Sequence, residues 1–178
     1  MSKGSDTRDD GTRSEASVAK GLFMGEIRDQ HLFPFPTIKP EEQETLKMVI
    51  ESIDRFMSGK EKEYRQYDEE GSQPNDYVDE LKTLGLFSLI IPCEYDGLGL
   101  SNSGYSRVLQ QTSRYDASTS LTIGAHSSIG LKALLLFGTD AQKQRYLPKL
   151  ATGEMIAAFC LTESGSGSDA ASIKTRAT

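Results

Sequence analysis

The chain has 178 residues, of which 37% are hydrophobic and 26% are charged, and its formal net charge is −6. This length can bury an apolar core without disulfides, so we expect one domain with the start of another. The basic residues are scattered among acidic ones, which excludes the charged stripe typical of nucleic-acid binding, and no apolar run approaches the roughly 20 residues that span a bilayer.

Helical periodicity dominates the chain as far as residue 153. In chain order, the first part predicts a short helix over 18–27, an extended segment over 33–36, a helix over 40–57, a loop over 58–72 and a helix from 75 or 76 to 84. The second part predicts a turn-rich connection over 94–99, a helix over 103–115, an apolar, buried helix over 118–137, and a helix from 139 that is interrupted near Pro148 and ends at Gly153.

Several helix ends are marked by residues with a physical role there. Pro40 suits the first helical position because it has no amide hydrogen to satisfy. Gly85 suits the left-handed residue that follows a helix. Thr139 and Gln142 have the spacing of a capping box, in which each side chain accepts a hydrogen bond from the other residue's main-chain amide. These residues fix where the predicted helices begin and end.

The first 17 residues and the two cysteines bear on the location of the protein. Residues 1–17 mix arginines with acidic residues and have no apolar stretch, so we expect a disordered tail, unlike a signal or transit peptide. Cys93 and Cys160 each lie in an apolar run, far apart in the sequence. This arrangement predicts buried, reduced thiols, and hence a reducing compartment.

The helical pattern gives way to an apolar run, Met155–Leu161, that has the length of a buried strand. The predicted fold class is therefore mainly α, with a β-region beginning near the end of the sequence. The predicted domains are a tail over 1–17, a helical domain over 18–153, and the start of a β-domain over 154–178.

The apolar run is followed by a Gly/Ser-rich loop, Thr162–Asp169. Small side chains let a flat ligand approach the main chain, where amides and hydroxyls can bind the electron-rich edge of a flavin ring. A flexible linker is an alternative. A second alternative is the start of a nicotinamide-binding Rossmann fold, with a phosphate-binding G-x-G-x-x-A turn made by Gly165, Gly167 and Ala170, although helices rather than a βαβ unit precede it.

Three segments resemble motifs of the acyl-CoA dehydrogenase family. Residues 159–173 resemble the flavin-loop signature, usually written around T-E-P-x-x-G-S-D. Residues 142–154 resemble Q-K-x-x-Y-L-P-x-L-A-x-G-E, and residues 84–99 resemble L-G-L followed by P-x-x-x-G-G-x-G. The resemblance covers the chain from about residue 18 to its end.

Within the family, three segments are most similar to the very-long-chain branch, which includes a mitochondrial complex I assembly relative. They are the Phe-Pro-Phe-Pro segment over 33–36, Gly124–Gly130 and Ala157–Glu163. The implied fold is a helical domain, a middle β-domain that begins with the strand after residue 153, and a second helical domain.

The resemblance also implies FAD as cofactor and a set of residues that contact it. These cofactor-binding residues are Phe159, Cys160, Leu161, Thr162, Glu163, Ser164, Gly165, Ser166, Gly167 and Ser168. The Thr162 hydroxyl and nearby amides would bind the pyrimidine end of the flavin, and Ser168 would also face the pantetheine of the substrate. Ser164 stands where the family usually has proline, which adds an amide donor to the loop.

The implied reaction is α,β-dehydrogenation of long- or very-long-chain fatty acyl-CoA in β-oxidation. The family's catalytic base, a glutamate, belongs to the second helical domain beyond Thr178, so this stretch supplies no catalytic residue. The implied partners are fatty acyl-CoA, electron-transfer flavoprotein and a second copy in a homodimer, with any membrane contact made through sequence beyond this chain. The implied location is the mitochondrial matrix or inner membrane. An alternative is an assembly factor on the same scaffold.

Some residues have both a structural and a functional interpretation. Glu154 and Glu163 flank the apolar run, and end-capping or ion pairing is favoured over a role as base. His126 has no second metal-binding side chain at ligand spacing, so we expect a packed, hydrogen-bonded histidine and no metal. The small residues Gly124, Ser127, Ser128 and Gly130 indicate either close helix packing or a widened acyl-chain groove.

Overall fold

The computed structural model describes residues 18–27, 33–35 and 37–176, so the predicted tail over 1–17 lies outside the described residues. The chain divides into two compact units, residues 1–37 and 38–178, which we describe separately. In the first unit, helix α1 covers only Val18–Phe23. It is shorter than predicted because the amides of Met24 and Glu26 both turn back to the Gly21 carbonyl, at 3.0 and 2.8 Å.

The second unit is helical throughout most of its described length. Its helices are α2 (Pro40–Met57), α3 (Glu61–Glu70), α4 (Asn75–Thr83), α5 (Asn102–Tyr115), α6 (Ala117–Gly124), α7 (Lys132–Phe137) and α8 (Asp140–Ala151). The predicted mainly α fold is confirmed, as is the helix predicted over 40–57. Gly85 is left-handed with φ 73°, as expected of the residue that closes α4.

Helix α3 occupies part of the segment that was predicted to be a loop, so that prediction is wrong. Its inward face is built from Tyr64 and Tyr67 rather than from aliphatic residues, and charged residues and Gln66 fill the remaining positions. The buried Tyr64 donates its hydroxyl to the Met57 carbonyl at 3.2 Å. Tertiary packing of these rings stabilises a helix that shows no apolar periodicity in the sequence.

Two apolar clusters make the core of the second unit. The larger joins α2, α4, α5 and α6 around fully buried residues such as Ile53, Leu81 and Val108. The smaller lies beneath α7 and α8 and contains Ile91, Leu131, Leu147, Leu150 and Ala151. Fully burying an aliphatic side chain contributes about 1.5 to 3 kcal/mol, so both clusters stabilise the helical packing substantially.

The apolar helix predicted over 118–137 contains a π-turn, Ala125–Gly130, between α6 and α7. It is buried on one side only, since Leu121 is 71% exposed and Phe137 is 84% exposed, so the prediction of a buried helix is wrong for its outer face. Ala117–Phe137 has 21 residues and is long and apolar enough to cross a membrane by those criteria alone. The expectation that no apolar run approaches the length of a membrane span is therefore wrong for this helix. Core helices of soluble proteins can have the same length and composition.

Helix α8 begins as predicted and does not break at Pro148. Thr139 and Gln142 form the capping box, with the Gln142 amide donating to Thr139 Oγ1 at 3.3 Å and the Thr139 amide donating to Gln142 Oε1 at 2.9 Å. The helix continues through Pro148 to Ala151 because buried Leu147 and Leu150 hold its last turn in the core, offsetting the one hydrogen bond that proline removes. Gly153, with φ 74°, then turns the chain away.

The strand predicted over Met155–Leu161 does not form within the residues that the structure describes. The segment is extended, and the single β-bridge nearby joins Glu163 to Ser166. A strand needs a neighbouring strand to satisfy its main-chain groups, and the helical unit offers none. Cys160 in this segment and Cys93 are free thiols as predicted, but both are exposed rather than buried.

Candidate cofactor loop and apolar groove

The Gly/Ser-rich loop after the extended segment closes on itself as a tight turn. The Glu163 amide donates to the Ser166 carbonyl at 2.9 Å, and the Ser166 amide donates to the Glu163 carbonyl at 3.1 Å, which places Ser164 and Gly165 at the tip. No helix opens at Gly167, because the only helical turn nearby is the three-residue Ala170–Ser172. The phosphate-binding alternative, which needs such a helix, therefore finds no support here.

The Glu163 carboxylate fastens this loop to the chain that follows it. It accepts hydrogen bonds from the Lys174 amide at 3.0 Å, the Thr175 amide at 2.8 Å and the Thr175 hydroxyl. These bonds, with the Thr175 hydroxyl contributing most, lower the pKa of Glu163. Glu154 instead lies 2.8 Å from Lys149 Nζ in an exposed ion pair. Both carboxylates have the structural role that was favoured for them.

Ser166 shapes the loop from inside. Its side chain is buried and donates to the Asp169 carbonyl at 2.5 Å, while Asp169 Oδ2 accepts from the Ser172 hydroxyl at 2.5 Å. The Ser166 hydroxyl is thus engaged within the protein. It supports the turn rather than offering a donor to a ligand.

Other polar groups of the loop remain available to a ligand. The amides of Ser164, Gly165, Gly167 and Ser168 and the Thr162 hydroxyl make no hydrogen bond to the described part of the chain, and these five residues are exposed. A β-carbon built on Gly165 or Gly167 would meet no atom within 4 Å. The loop therefore presents unpaired donors beside open space, which fits the acceptor-rich edge of a flavin ring.

The first predicted cofactor-binding residues, 159–161, are exposed and directly precede this loop in the chain. Phe159 is 52% exposed and Leu161 is 40% exposed, and Cys160 between them is also exposed. Exposed apolar side chains grouped in one segment indicate a surface that another group covers. Within the predicted cofactor-binding residues 159–168, Glu163 and Ser166 thus make hydrogen bonds that shape the loop, and the other residues are exposed.

His126 in the π-turn is fully buried, and it is packed and hydrogen-bonded as predicted. The Ala157 amide donates to His126 Nδ1 at 3.0 Å, so the ring proton resides on Nε2, which donates to the Phe87 carbonyl at 3.1 Å. Burial lowers the pKa of His126. No group of three metal-binding side chains occurs among residues 18–27, 33–35 and 37–176.

The contact between His126 and Ala157 could not be read from the sequence. The two residues are separated by helices α7 and α8, and alanine carries no side-chain signal of a hydrogen bond made by its amide. Only the helical glycines and serines around residue 126 indicated that other chain segments pass close by.

An apolar groove runs between α5 and α6 and has a volume of about 440 Å³. Its lining includes Tyr105, Leu109, Leu121, Gly124 and Ser128. A β-carbon on Gly124 would point to this groove, 3.6 Å from the Tyr105 hydroxyl and 3.7 Å from Leu109 Cδ1. The groove is shallow, and its mainly apolar lining suits contact with a hydrocarbon chain.

The four small residues singled out in the sequence therefore divide into two pairs. Gly124 and Ser128 line the groove, whereas Ser127 is buried and Gly130 packs closely against Ala157. The Ser127 hydroxyl is buried without a hydrogen-bond partner among the described residues. Close packing and groove formation thus both occur along this one turn of helix.

Comparison with known proteins identifies similar sequences among acyl-CoA dehydrogenases. The family model "Acyl-CoA dehydrogenase, N-terminal domain" matches residues 42–154. The human very long-chain specific acyl-CoA dehydrogenase, mitochondrial, is 46% identical over 172 residues, which is 90% of this chain and 25% of that protein. The mouse protein of the same name is 41% identical over 179 residues, 99% of this chain and 27% of that protein.

Solved structures share the fold. An acyl-CoA dehydrogenase complexed with FAD from Bacillus anthracis matches with a TM-score of 0.63 and 34% identity, covering 84% of this chain and 25% of that one. A structure of the electron transferring flavoprotein of Acidaminococcus fermentans contains a chain with a TM-score of 0.66 and 28% identity, covering 76% and 35%. The present chain spans about a quarter of the length of the curated relatives described above.

Proposed function

Because the chain belongs to the acyl-CoA dehydrogenase family through its N-terminal domain, we propose that the complete protein is a FAD-dependent dehydrogenase of long- or very-long-chain fatty acyl-CoA. The observation that carries the proposal is the loop at 162–168, whose unpaired amides and hydroxyl lie beside open space. Its position directly after a helical domain that has an apolar groove supports the same function.

In this proposal residues 159–168 hold the flavin. The Thr162 hydroxyl and the free amides of Ser164, Gly165 and Gly167 bind the pyrimidine edge, and exposed Phe159 and its neighbours cover the ring. Amide donors aimed at that edge stabilise the negative charge that collects there when the ring is reduced. Ser168 also faces the pantetheine of the substrate. Bound FAD supplies a two-electron acceptor for the hydride that leaves the substrate.

The apolar groove between α5 and α6 supports the assignment of a fatty acyl substrate. A hydrocarbon chain gives up no hydrogen bonds when it leaves water, and its burial is favourable by about 0.8 kcal/mol for each methylene. Gly124 and Ser128 leave room that larger residues would fill. We therefore assign the groove to the acyl chain and the small residues to the acceptance of long chains.

The reaction removes two hydrogens from the saturated thioester. A carboxylate takes the α-proton, the β-hydrogen leaves as hydride, and a 2,3-unsaturated thioester remains. That carboxylate belongs to sequence beyond Thr178, so residues 18–153 act as the helical domain and 154–178 as the start of the middle domain. Electron-transfer flavoprotein is the proposed acceptor of the electrons, and the complete protein is proposed to be a homodimer. A mitochondrial location is supported by the names of its relatives.

The test uses the complete protein, purified and examined by absorbance spectroscopy. We expect flavin to co-purify and its absorbance to bleach when palmitoyl-CoA is added without oxygen, with less bleaching for butyryl-CoA. Thr162→Val, which removes only the hydroxyl, should weaken FAD binding about tenfold, the loss expected for one hydrogen bond. A protein without flavin would refute the proposal, and bound flavin that no acyl-CoA reduces would favour the assembly-factor alternative.

A further inference from the structure

We propose that His126 is a positioning residue that holds the main chain at Ala157 and thereby places the flavin-binding loop on the helical domain. The inference rests on the proposed function, since it concerns how the loop that binds FAD is held. The hydrogen bonds of His126 do not reach the loop residues themselves. It acts through Ala157, two residues before Phe159, where the proposed cofactor-binding segment begins.

The hydrogen bonds of His126 connect three separate parts of the chain. Nδ1 accepts from the Ala157 amide at 3.0 Å, and Nε2 donates to the Phe87 carbonyl at 3.1 Å. The Phe87 ring meets the imidazole edge to face, with centroids 5.0 Å apart at 90°. Both nitrogens are therefore used, the ring is fixed by packing, and a neutral imidazole satisfies both partners at once.

Ala157 makes the last hydrogen bond between the extended segment and the helical part of the chain. Before it, the Met155 amide donates to the Lys149 carbonyl at 3.1 Å. After it, residues 158–162 make no hydrogen bond to any other described residue. The next bonds are those of Glu163, which join it to Ser166 within the loop and to Lys174 and Thr175 in the chain that follows. The position of the loop relative to the helical domain is thus set by the contacts of Ala157.

The π-turn supplies the second contact to Ala157. The Leu131 amide donates to the His126 carbonyl at 3.0 Å, five residues back, as in a π-helix. This turn presents both His126 and Gly130 to Ala157, because a β-carbon on Gly130 would lie 2.6 Å from the Ala157 β-carbon. Single π-turns inside α-helices often occur at functional sites. This one contacts the segment that leads to the loop, through His126 and Gly130.

Two conservative substitutions separate the two hydrogen bonds. His126→Asn places an amide oxygen where Nδ1 lies and keeps the acceptor for Ala157. His126→Gln places an amide nitrogen where Nε2 lies and keeps the donor for Phe87. His126→Ala removes both. If His126 only stabilises the core, the asparagine and glutamine variants should be destabilised to a similar degree and should bind FAD equally well. If His126 positions the loop, the two variants should differ in FAD affinity.

The experiment measures the FAD dissociation constant of the complete protein by titration of the flavin-free form. We expect His126→Asn to bind FAD as the wild type does, and His126→Gln and His126→Ala to bind about tenfold more weakly, since one buried hydrogen bond is lost. Hydrogen exchange of the segment 157–162 in the flavin-free protein should be faster in His126→Gln than in His126→Asn. Urea unfolding of each variant reports stability independently.

The outcomes separate this inference from the proposed function. If the wild-type protein binds no FAD, the proposed function fails whatever the variants do. If the wild type binds FAD and all folded variants bind it equally, with equal exchange over 157–162, the positioning role is overturned and the proposed function stands. Should His126→Ala fail to fold, the comparison of FAD binding in His126→Asn and His126→Gln still decides whether His126 positions the loop.

Discussion

Gly130 and Ala157 lie so close together that a β-carbon on Gly130 would be 2.6 Å from the Ala157 β-carbon and 3.0 Å from the Ala125 carbonyl oxygen. Backbone and a methyl group cannot move aside as a long side chain can. The absence of a side chain at position 130 is therefore what allows the extended segment to pass across the π-turn.

Gly130→Ala is expected to lower the free energy of unfolding by about 1 to 3 kcal/mol, the usual cost of overpacking. It should also weaken FAD binding in the complete protein by displacing Ala157. Urea denaturation and FAD titration measure the two effects. The control is Gly124→Ala, where the nearest atoms lie at 3.6 Å or beyond and an added methyl is tolerated. Equal stability and FAD affinity in the two variants would show that the tight contact has no consequence.

The lowered pKa of His126 predicts how stability depends on pH. Burial holds the pKa in the folded protein below its ordinary value of 6.5, so between the two values the unfolded chain binds more protons than the folded one. The contribution of His126 is therefore complete above about pH 6.5 and is lost as the pH falls from there through the folded pKa.

Unfolding by urea at several pH values between 7 and 5 tests this dependence. The wild type should lose more stability over this range than His126→Asn, because asparagine does not titrate. Asp54 and Glu163, whose pKa values are lowered, lose their contributions at more acidic pH and are present in both proteins. Parallel curves for the two proteins would rule out a neutral, buried His126 as the source of the dependence.

Ser164 occupies the second position of the turn closed by the Glu163 carbonyl and the Ser166 amide, a position that proline favours. Its own amide makes no hydrogen bond within the described residues, so Ser164→Pro should be tolerated by the fold. The substitution removes one amide donor from the loop. We expect a lower midpoint potential for the bound flavin, because the reduced ring loses stabilisation.

A reductive titration against a reference dye measures this potential in the complete protein. Ser164→Ala is the matched control, since it removes the hydroxyl and keeps the amide. We expect Ser164→Ala to match the wild type and only Ser164→Pro to differ. An unchanged potential in the proline variant would remove the Ser164 amide from the flavin site.

The groove between α5 and α6 predicts a change in chain-length preference for Gly124→Leu. The leucine side chain would fill space beside Tyr105 and Leu109 that we assign to the acyl chain. We expect kcat/KM for palmitoyl-CoA to fall about tenfold or more while that for shorter acyl-CoA is retained, as steric exclusion in an apolar pocket permits. Gly124→Ala should behave nearly as the wild type. An unaltered profile in the leucine variant would place the acyl chain elsewhere.

Local signals in the sequence predicted most helix limits and failed where a helix depends on its neighbours. Pro40, Gly85 and the Thr139–Gln142 pair marked helix ends correctly because caps act within one turn. Helix α3 was missed because Tyr64 faces inward only in the presence of its packing partners. The exposure of Cys160 was missed for the same reason, as burial depends on what the fold brings alongside.

The amino-acid sequence by itself determined the helical class, the capped helix ends, the family resemblance and the small, polar composition of the loop at 162–168. Only the tertiary structure decided that Glu163 and Ser166 shape that loop, that Gly124 opens a groove while Gly130 admits Ala157, and that His126 holds the Ala157 amide. The physical reason is the separation along the sequence over which each interaction acts. Capping and periodicity act between residues a few positions apart, whereas the bond from Ala157 to His126 forms between residues 31 apart in the sequence, which only the packing of the intervening helices brings together.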